Sequence, residues 1–436
     1  MTPDEAAARD ALTGSLGRGA FEAQLAARLA EAQEREWSVA LLFIDLDDFK
    51  MVNDRYGHAV GDAVLVEAVR RCQEALGDGD LLGRMGGDEF AVAVTRPHRD
   101  GRSATVRELA DRMAAKLARP YLVDANVLLT SASIGIALFP TDAEDRDELL
   151  DRADLAMYEA KASDDPVREY DPLLQQRVDE ERATVALIHG ALRHDRLEVH
   201  YQPIVALDSG RMVAVEALLR MRDAQRELVD PHAFLPVAAR YGLMPSISAW
   251  VLSHACAECA GAFESFGERV RLCVNVPTSV LEANDFPDVV EAALAAAELD
   301  PERLELEITE TEPVRDAEAF QANAARLQDL GVSFALDDFG SGFSGIGMVR
   351  ALRFGRLKLD RSFVAGLATE RDHAIVESIG FLAAALDIEV VAEGIETPAQ
   401  AERLQQVGVT QGQSFLYAPP MPIDELWDWV QGRGGA

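Results

Sequence analysis

Phe334-Ala335-Leu336-Asp337-Asp338-Phe339-Gly340-Ser341-Gly342-Phe343-Ser344 runs from an apolar stretch through two adjacent acids into a glycine-rich loop. The apolar part reads as a buried strand, and the acids stand where it ends. Neighbouring strand residues point to opposite faces, but where the backbone turns at a strand end both can converge on one site. Alone, the stretch also fits a turn closed by Asx hydrogen bonds. Its company shifts that balance. Glu216 stands in Glu216-Ala217-Leu218-Leu219-Arg220, and Glu307 and Glu310 in Leu306-Glu307-Ile308-Thr309-Glu310. Lys358 and Asp360 stand in Leu357-Lys358-Leu359-Asp360, and Glu393 and Glu396 in Val391-Ala392-Glu393-Gly394-Ile395-Glu396. Any one inward acid is accounted for by a buried ion pair. A whole set is costly to bury unless it is paired or bound to metal. Hard cations take oxygen ligands, and two of them close together need a shared carboxylate. Two acids at one strand end can supply both a shared and a private ligand.

Working outward, apolar runs near residues 198–206, 212–219, 272–276, 304–308, 334–336, 356–359 and 389–391 alternate with helical stretches. The alternation predicts one TIM-like (β/α)8 barrel over residues 192–436. Glu216, Asn275, Glu307, Asp337 and Glu393 recur at strand ends, where such barrels place their chemistry. Upstream the pattern differs. Helices are expected over residues 21–36, 59–76, 107–118 and 147–161. Strands are expected over residues 39–44, ending at Asp45, and as one long strand over residues 127–138. A hairpin of residues 81–84 and 90–94 turns at Gly86-Gly87-Asp88-Glu89. This predicts an α+β domain over residues 1–170, with a helical connector over residues 171–191.

Composition bounds the function. The 436 residues are 48% hydrophobic and 27% charged, a globular balance. A formal net charge of -33 repels a nucleic-acid backbone, so no long DNA or RNA partner is expected. A small phosphate ester stays possible if cations reverse the local sign. Met1-Thr2-Pro3-Asp4-Glu5 lacks the basic and apolar regions of a signal peptide, and no run is long enough for a membrane span. Four cysteines fit a reducing cytoplasm. Cys256 and Cys259 form a lone CxxC within a helical stretch and read as core packing.

With Tyr201-Gln202-Pro203-Ile204-Val205 as an opening strand, residues 185–436 resemble the EAL family of cyclic di-GMP phosphodiesterases. Glu216-Ala217-Leu218 is the name-giving motif, and Asp-Asp-Phe-Gly, Lys-x-Asp and Ala-Glu-Gly-x-Glu-Thr follow in order. The resemblance implies that Glu216, Asn275, Glu307 and Asp337 ligate a first metal, and that Asp337 and Asp338 hold a second. Lys358 would orient the attacking water and share in its deprotonation, with Asp360 nearby. Glu393 and Gln413 would hold water or complete the shell. Glu310 would anchor the glycine-rich loop. Arg220 would contact a phosphate and Gln202 would lie near a guanine. The ions would be Mg²⁺ or Mn²⁺, and the product linear pGpG. Two departures stand out. Asn275-Val276-Pro277 keeps the ligand amide of the family's Asn-x-Ser and loses the hydroxyl. Gln413-Ser414 replaces a Gln-Gly, with Gln411-Gly412 as a rival alignment; the spacing from Glu393 favours Gln413.

The upstream motifs point to a second nucleotide site. Arg84-Met85-Gly86-Gly87-Asp88-Glu89-Phe90 puts two glycines and two acids at a hairpin turn, where backbone can approach phosphate and an acid can hold Mg²⁺. With Phe43-Ile44-Asp45-Leu46-Asp47-Asp48-Phe49-Lys50, Asn53, Gly61-Asp62 and an opening Asp10-Ala11-Leu12-Thr13-Gly14, residues 8–170 resemble a GGDEF diguanylate cyclase domain. The resemblance implies that Asp45 and Asp88 bind Mg²⁺ with GTP and that Asn53 and Asp62 read guanine. Lys50, Lys161, Gly86 and Gly87 would take the phosphates, and Glu89 would assist catalysis. Gly77-Asp78-Gly79-Asp80 lacks the arginine of the family's inhibitory site. Asp164-Asp165-Pro166 stands where Gly-Arg-Asn is usual, which weakens the expectation of triphosphate binding.

The favoured expectation is a cyclic di-GMP phosphodiesterase whose N-terminal domain binds GTP and regulates it. One alternative is a bifunctional enzyme or net diguanylate cyclase; another is a non-catalytic cyclic di-GMP receptor. A homodimer is expected from the resemblance alone.

Overall fold

The structure, a computed structural model, describes residues 8–97, 103–123, 126–161, 163, 165–266, 270–340, 345–367 and 369–433. Residues 341–344 of the glycine-rich loop, and Asp164, therefore lie outside the described residues. Contacts divide the chain into two units, Met1–Glu180 and Glu181–Ala436, with the boundary inside the helix Pro172–Arg193. Among the described residues no helix is long and apolar enough to cross a membrane.

The first unit is built on the strand Trp37–Leu46, whose residues from Val39 onward are all buried. An unbroken apolar run of this kind suits a strand covered on both faces. It pairs antiparallel with Glu89–Pro97 on one side and Ala132–Phe139 on the other, within a six-stranded sheet. Val64, Leu65 and Met113 of the helices His58–Gln73 and Ser103–Leu117 pack into one core. Phe21, Leu25, Leu149 and Met157 of the helices Arg18–Arg35 and Arg146–Lys161 pack into a second. The long strand expected over residues 127–138 is two strands in different sheets. Among the described residues Asn126–Leu128 pairs with Tyr121–Val123 alone, and Ala132–Phe139 joins the main sheet. Ser131 and Ser133 donate their hydroxyls to Asp47, at 2.5 and 2.8 Å, anchoring the start of the second strand beside the end of Trp37–Leu46.

The second unit is the expected α/β barrel. Eight strands close, in the order Leu197–Ala206, Met212–Arg222, Arg271–Asn275, Leu304–Thr309, Ser333–Phe339, Arg356–Leu359, Glu389–Glu393 and Gln411–Gln413. The first strand runs antiparallel to both of its neighbours. A short turn between residues 206 and 212 permits nothing else, because a parallel return needs a crossover of a dozen or more residues. Cys256 and Cys259 are fully buried on the helix Met244–Phe266, packed as ordinary core.

Candidate active site

Parallel register fixes the depth of each inward side chain. Glu216 is level with Cys273, Asn275 with Glu307, Thr309 with Asp337, and Glu393 with Gln413. Lys358, only 1% exposed, stands at the centre. Its Nζ lies 3.1 Å from Glu216 Oε2, 2.9 Å from Glu307 Oε2, 3.2 Å from Asp337 Oδ1 and 2.9 Å from Glu393 Oε1. Acids read separately along the sequence are thus one cluster in space.

The two acids Asp337 and Asp338 converge through a β-bulge. Register against the next strand slips between Leu336 and Phe339, so three residues are spanned where the partner uses two. Asp338 sits at φ 52°, in the left-handed region, and its N–H donates to Asp337 Oδ1 at 2.9 Å. Bulges re-aim side chains beside active sites. Oxygens of Asp337, Asp338 and Glu393 all lie within 4.8 Å of one another. Just beyond, Gly340 donates to Glu310 Oε2 at 2.6 Å. A Cβ at Gly340 would run into the ring of Phe363, so that close approach requires glycine.

Amides complete the ring. Glu216 accepts from Asn275 Nδ2 at 2.5 Å and from Gln413 Nε2 at 2.5 Å. Gln413 also donates to Gln202 at 3.1 Å, and Gln202 donates to the Ala418 carbonyl at 3.2 Å. It is Gln413 that reaches Glu216, level with Glu393, while Gln411 sits a layer deeper beside Val391; the geometry thus brings in the favoured glutamine of the two alignments. Glu307 Oε1 and Gln413 Oε1 are buried without a hydrogen-bond partner. Orphaned buried oxygens beside clustered carboxylates are a donor set that suits a hard cation. Another close group, Cys273, Glu305 and Glu307, is already served: Arg356 donates to Glu305 and, at 3.4 Å, to Cys273 Sγ.

Burial and mutual repulsion act on these acids. Burial, then Glu216, push the Glu307 carboxyl well up. Burial lifts Glu393 to about 7 against the pull of Lys358. Burial also works against the Glu216 carboxylate, but Lys358 and the two amides hold it below the usual range. Lys358 stays charged: burial opposes the ammonium, and Asp337, Glu216, Glu307 and Glu393 more than offset it.

Two cavities flank the ring and share Leu218. One, of about 820 Å³, is lined by Gln202, Glu216, Asp337, Lys358, Glu393 and Gln413, with Arg361 and Phe415. The other, of about 540 Å³, is lined by Arg220, Asn275 and Glu307 among apolar side chains such as Leu235 and Ile247. Arg220 is steadied by the Leu219 carbonyl at 2.8 Å. Asp360 lines neither cavity; its carboxylate caps the helix Arg361–Gly366 by accepting from Ser362 N at 3.0 Å. Sequence reasoning misses Arg361 and Phe415. Arg361 directly follows Lys-x-Asp, and Phe415, 77% exposed, lies two residues beyond Gln413; those positions are their only sequence signals.

In the first unit the hairpin gathers Asp45, Asp88, Glu89 and Lys161. Lys161 Nζ is 2.5 Å from Asp45 Oδ1. Burial raises the Asp45 and Glu89 carboxyls, with Asp88 adding to both. Arg84 holds the turn through the Gly87 carbonyl at 3.0 and 2.7 Å and reaches Asp10 at 3.3 Å. That contact gives the opening motif a purpose its sequence did not disclose. Asn53 lies against Gly61, where a Cβ would collide with Asn53 Oδ1. Asp62 and Lys50 are exposed on neighbouring helices, and Gly86 and Gly87 are exposed at the turn. Asp165 pairs with Arg107 at 2.9 Å.

An eight-stranded barrel whose strands gather carboxylates at one mouth defines the class of acid-lined α/β barrels. The chain belongs to the EAL domain family, whose model matches residues 186–420, and residues 7–165 match the diguanylate cyclase, GGDEF domain model. It is 36% identical over 425 residues to the bifunctional diguanylate cyclase/cyclic di-GMP phosphodiesterase MucR of Pseudomonas aeruginosa, covering 96% of this chain and 61% of that protein. It is 35% identical over 426 residues to the cyclic di-GMP phosphodiesterase NbdA of the same organism, covering 97% of this chain and 54% of that one. The chain thus spans between half and two thirds of these relatives' length. Among solved structures it resembles the PaMucR phosphodiesterase in complex with c-di-GMP, with a TM-score of 0.53 and 37% identity, over 56% of this chain and 99% of that one.

Proposed function

We propose that this chain hydrolyses one phosphodiester of cyclic di-GMP, giving linear pGpG, at the barrel mouth. The observation that carries the reading is the convergence of Glu216, Glu307, Asp337 and Glu393, from four strands, within 3.2 Å of Lys358 Nζ. Glu216, Asn275, Glu307, Asp337 and Asp338 would hold two Mg²⁺ or Mn²⁺ ions, which lower the pKa of water and stabilise attacking and leaving oxygens. Lys358 donates hydrogen bonds that orient the attacking water. Glu393, lifted to about 7 by burial, is a proton acceptor beside that donor. Gln413 and Asn275 fix the Glu216 carboxylate. Arg220 offers a guanidinium to a phosphate oxygen. Two cavities meeting at Leu218 suit a ligand with a base on either side of its phosphates. The relatives' names and the bound ligand of the solved neighbour support the same substrate. All four cysteines are free and buried, in keeping with a reducing compartment.

The N-terminal site would bind GTP with Mg²⁺ at Asp45 and Asp88 and modulate hydrolysis. The intact Gly86-Gly87-Asp88-Glu89-Phe90 turn and the bifunctional relative favour a second reading, in which the chain also makes cyclic di-GMP from two GTP. That reading requires two such sites facing each other, hence a homodimer. Chromatography of products tests both. Cyclic di-GMP with Mg²⁺ should yield pGpG, and Glu216→Ala should abolish that yield with the circular dichroism spectrum unchanged. GTP should yield little cyclic product; efficient cyclisation would favour the second reading.

A further inference from the structure

We propose that Glu312 is a positioning residue that holds the loop of Asn275 in place for cation binding, an inference that rests on reading the barrel mouth as a metal site. Asn275 is the last residue of its strand and is exposed, unlike the buried Glu216 and Glu307; its bond to Glu216 and the Val276 N–H bond to the Glu307 carbonyl at 2.9 Å hold its strand side, and the turn that follows holds the other. The chain turns through Val276 and Pro277 into the short helix Thr278–Leu281. Pro277 occupies the N-cap and offers no side-chain acceptor. The first N–H groups of a helix have no partner within it, and a polar N-cap side chain usually serves one of them.

Glu312 serves it from another loop. Its Oε2 accepts from Thr278 N at 2.7 Å and from Thr278 Oγ1 at 3.1 Å. Thr278 is 2% exposed, so water is a poor substitute for that acceptor. Two other ties bind the same loops further along. Glu282 accepts from Arg315 N at 2.6 Å, and Asn323 donates to the Leu281 carbonyl at 2.8 Å. Both act at the far end of the helix or past it, whereas Glu312 acts at the end adjoining Asn275. Two residues earlier, Glu310 reaches the opposite way to Gly340 N. Residues 310–312 therefore link the loop after Asn275 to the loop after Asp337. Glu312 supplies, from the loop after the neighbouring strand, the cap that Pro277 lacks.

Mn²⁺ titration of the full chain by calorimetry, without nucleotide, tests this, with thermal unfolding followed in parallel. Glu312→Ala should weaken binding about tenfold, the lower end of what partners of metal ligands cost. Glu312→Gln keeps an acceptor oxygen and should bind as the parent does. Pro277→Ser alone should be neutral, and added to Glu312→Ala it should restore most of the affinity by capping locally. Parent-like binding by Glu312→Ala would overturn the proposal. So would equal weakening by Glu312→Gln, which would assign the effect to charge. If Glu312→Ala unfolds before titration, the test passes to Glu312→Gln and the double variant. Near-parent affinity in both then supports the proposal, and weakened affinity in either overturns it. A parent that binds no Mn²⁺ would instead overturn the metal reading on which this one rests.

Discussion

The barrel mouth and the hairpin site use similar acids but hold them differently. At the mouth, strands in fixed register present Glu216, Glu307 and Lys358, each nearly or fully buried, and every acid is tied to a neighbour. At the hairpin, Asp45 is buried, but Lys50, Asp62, Gly86 and Gly87 are exposed, and Arg84 braces the turn through the Gly87 carbonyl. A preorganised, dry cluster raises the worth of each charge, whereas an exposed site is tuned by small local contacts. Chemistry is therefore expected at the first and adjustable binding at the second.

The contrast can be broken or sharpened by substitution. Asp337→Ala removes the acid that meets Lys358 and, within the bulge, accepts from the Asp338 N–H. Turnover of cyclic di-GMP should fall about a thousandfold, the upper range for loss of one preorganised electrostatic group. Steady-state kinetics at saturating Mg²⁺ checks this, and a fall below tenfold would place the chemistry elsewhere. Arg356→Met breaks the buried pair with Glu305 beneath Lys358. Arg271 still reaches Glu305 at 3.4 Å, so the loss in urea unfolding should fall toward the low end of the about 3–5 kcal/mol that breaking a buried pair costs. A loss under about 1 kcal/mol would mean the lower layer does not support the mouth.

Gln413→Ala and Gln411→Ala separate the two alignments. Gln413→Ala should lower turnover by about 10- to 100-fold, since it orients the Glu216 carboxylate proposed to hold metal. Gln411→Ala should leave turnover near the parent value, and the reverse ranking would reassign the motif. Gly61→Ala carries the smallest expected loss. Its Cβ displaces Asn53, so GTP affinity should drop about tenfold while hydrolysis without GTP is unchanged. Unaltered GTP binding in an equilibrium titration would remove Asn53 from the guanine site.

These contrasts also explain what the sequence disclosed. The barrel was legible because β and α runs alternate and acids recur at strand ends. The shape of the mouth was less so. Nothing in Asp337-Asp338 announces a bulge or a left-handed Asp338; that arises from pairing with Arg356–Leu359. The antiparallel first strand was implicit in the short turn after Ala206. The split of residues 127–138 was hidden because the two halves pair with different strands, and Ser131 and Ser133 of the second bind Asp47, 84 and 86 residues away in sequence. Asp10 with Arg84, and Glu312 with Thr278, were invisible for the same reason. Local pattern reports which faces are apolar, while partners distant along the chain are set only by the fold.

One measurement reaches the central claim most directly: incubation of the full chain with cyclic di-GMP and Mg²⁺, with and without a chelator, products resolved by chromatography. Linear pGpG should accumulate with the parent chain, and should vanish with chelator and in Glu216→Ala. Substrate left intact by the parent chain, or pGpG formed equally by Glu216→Ala, would contradict it.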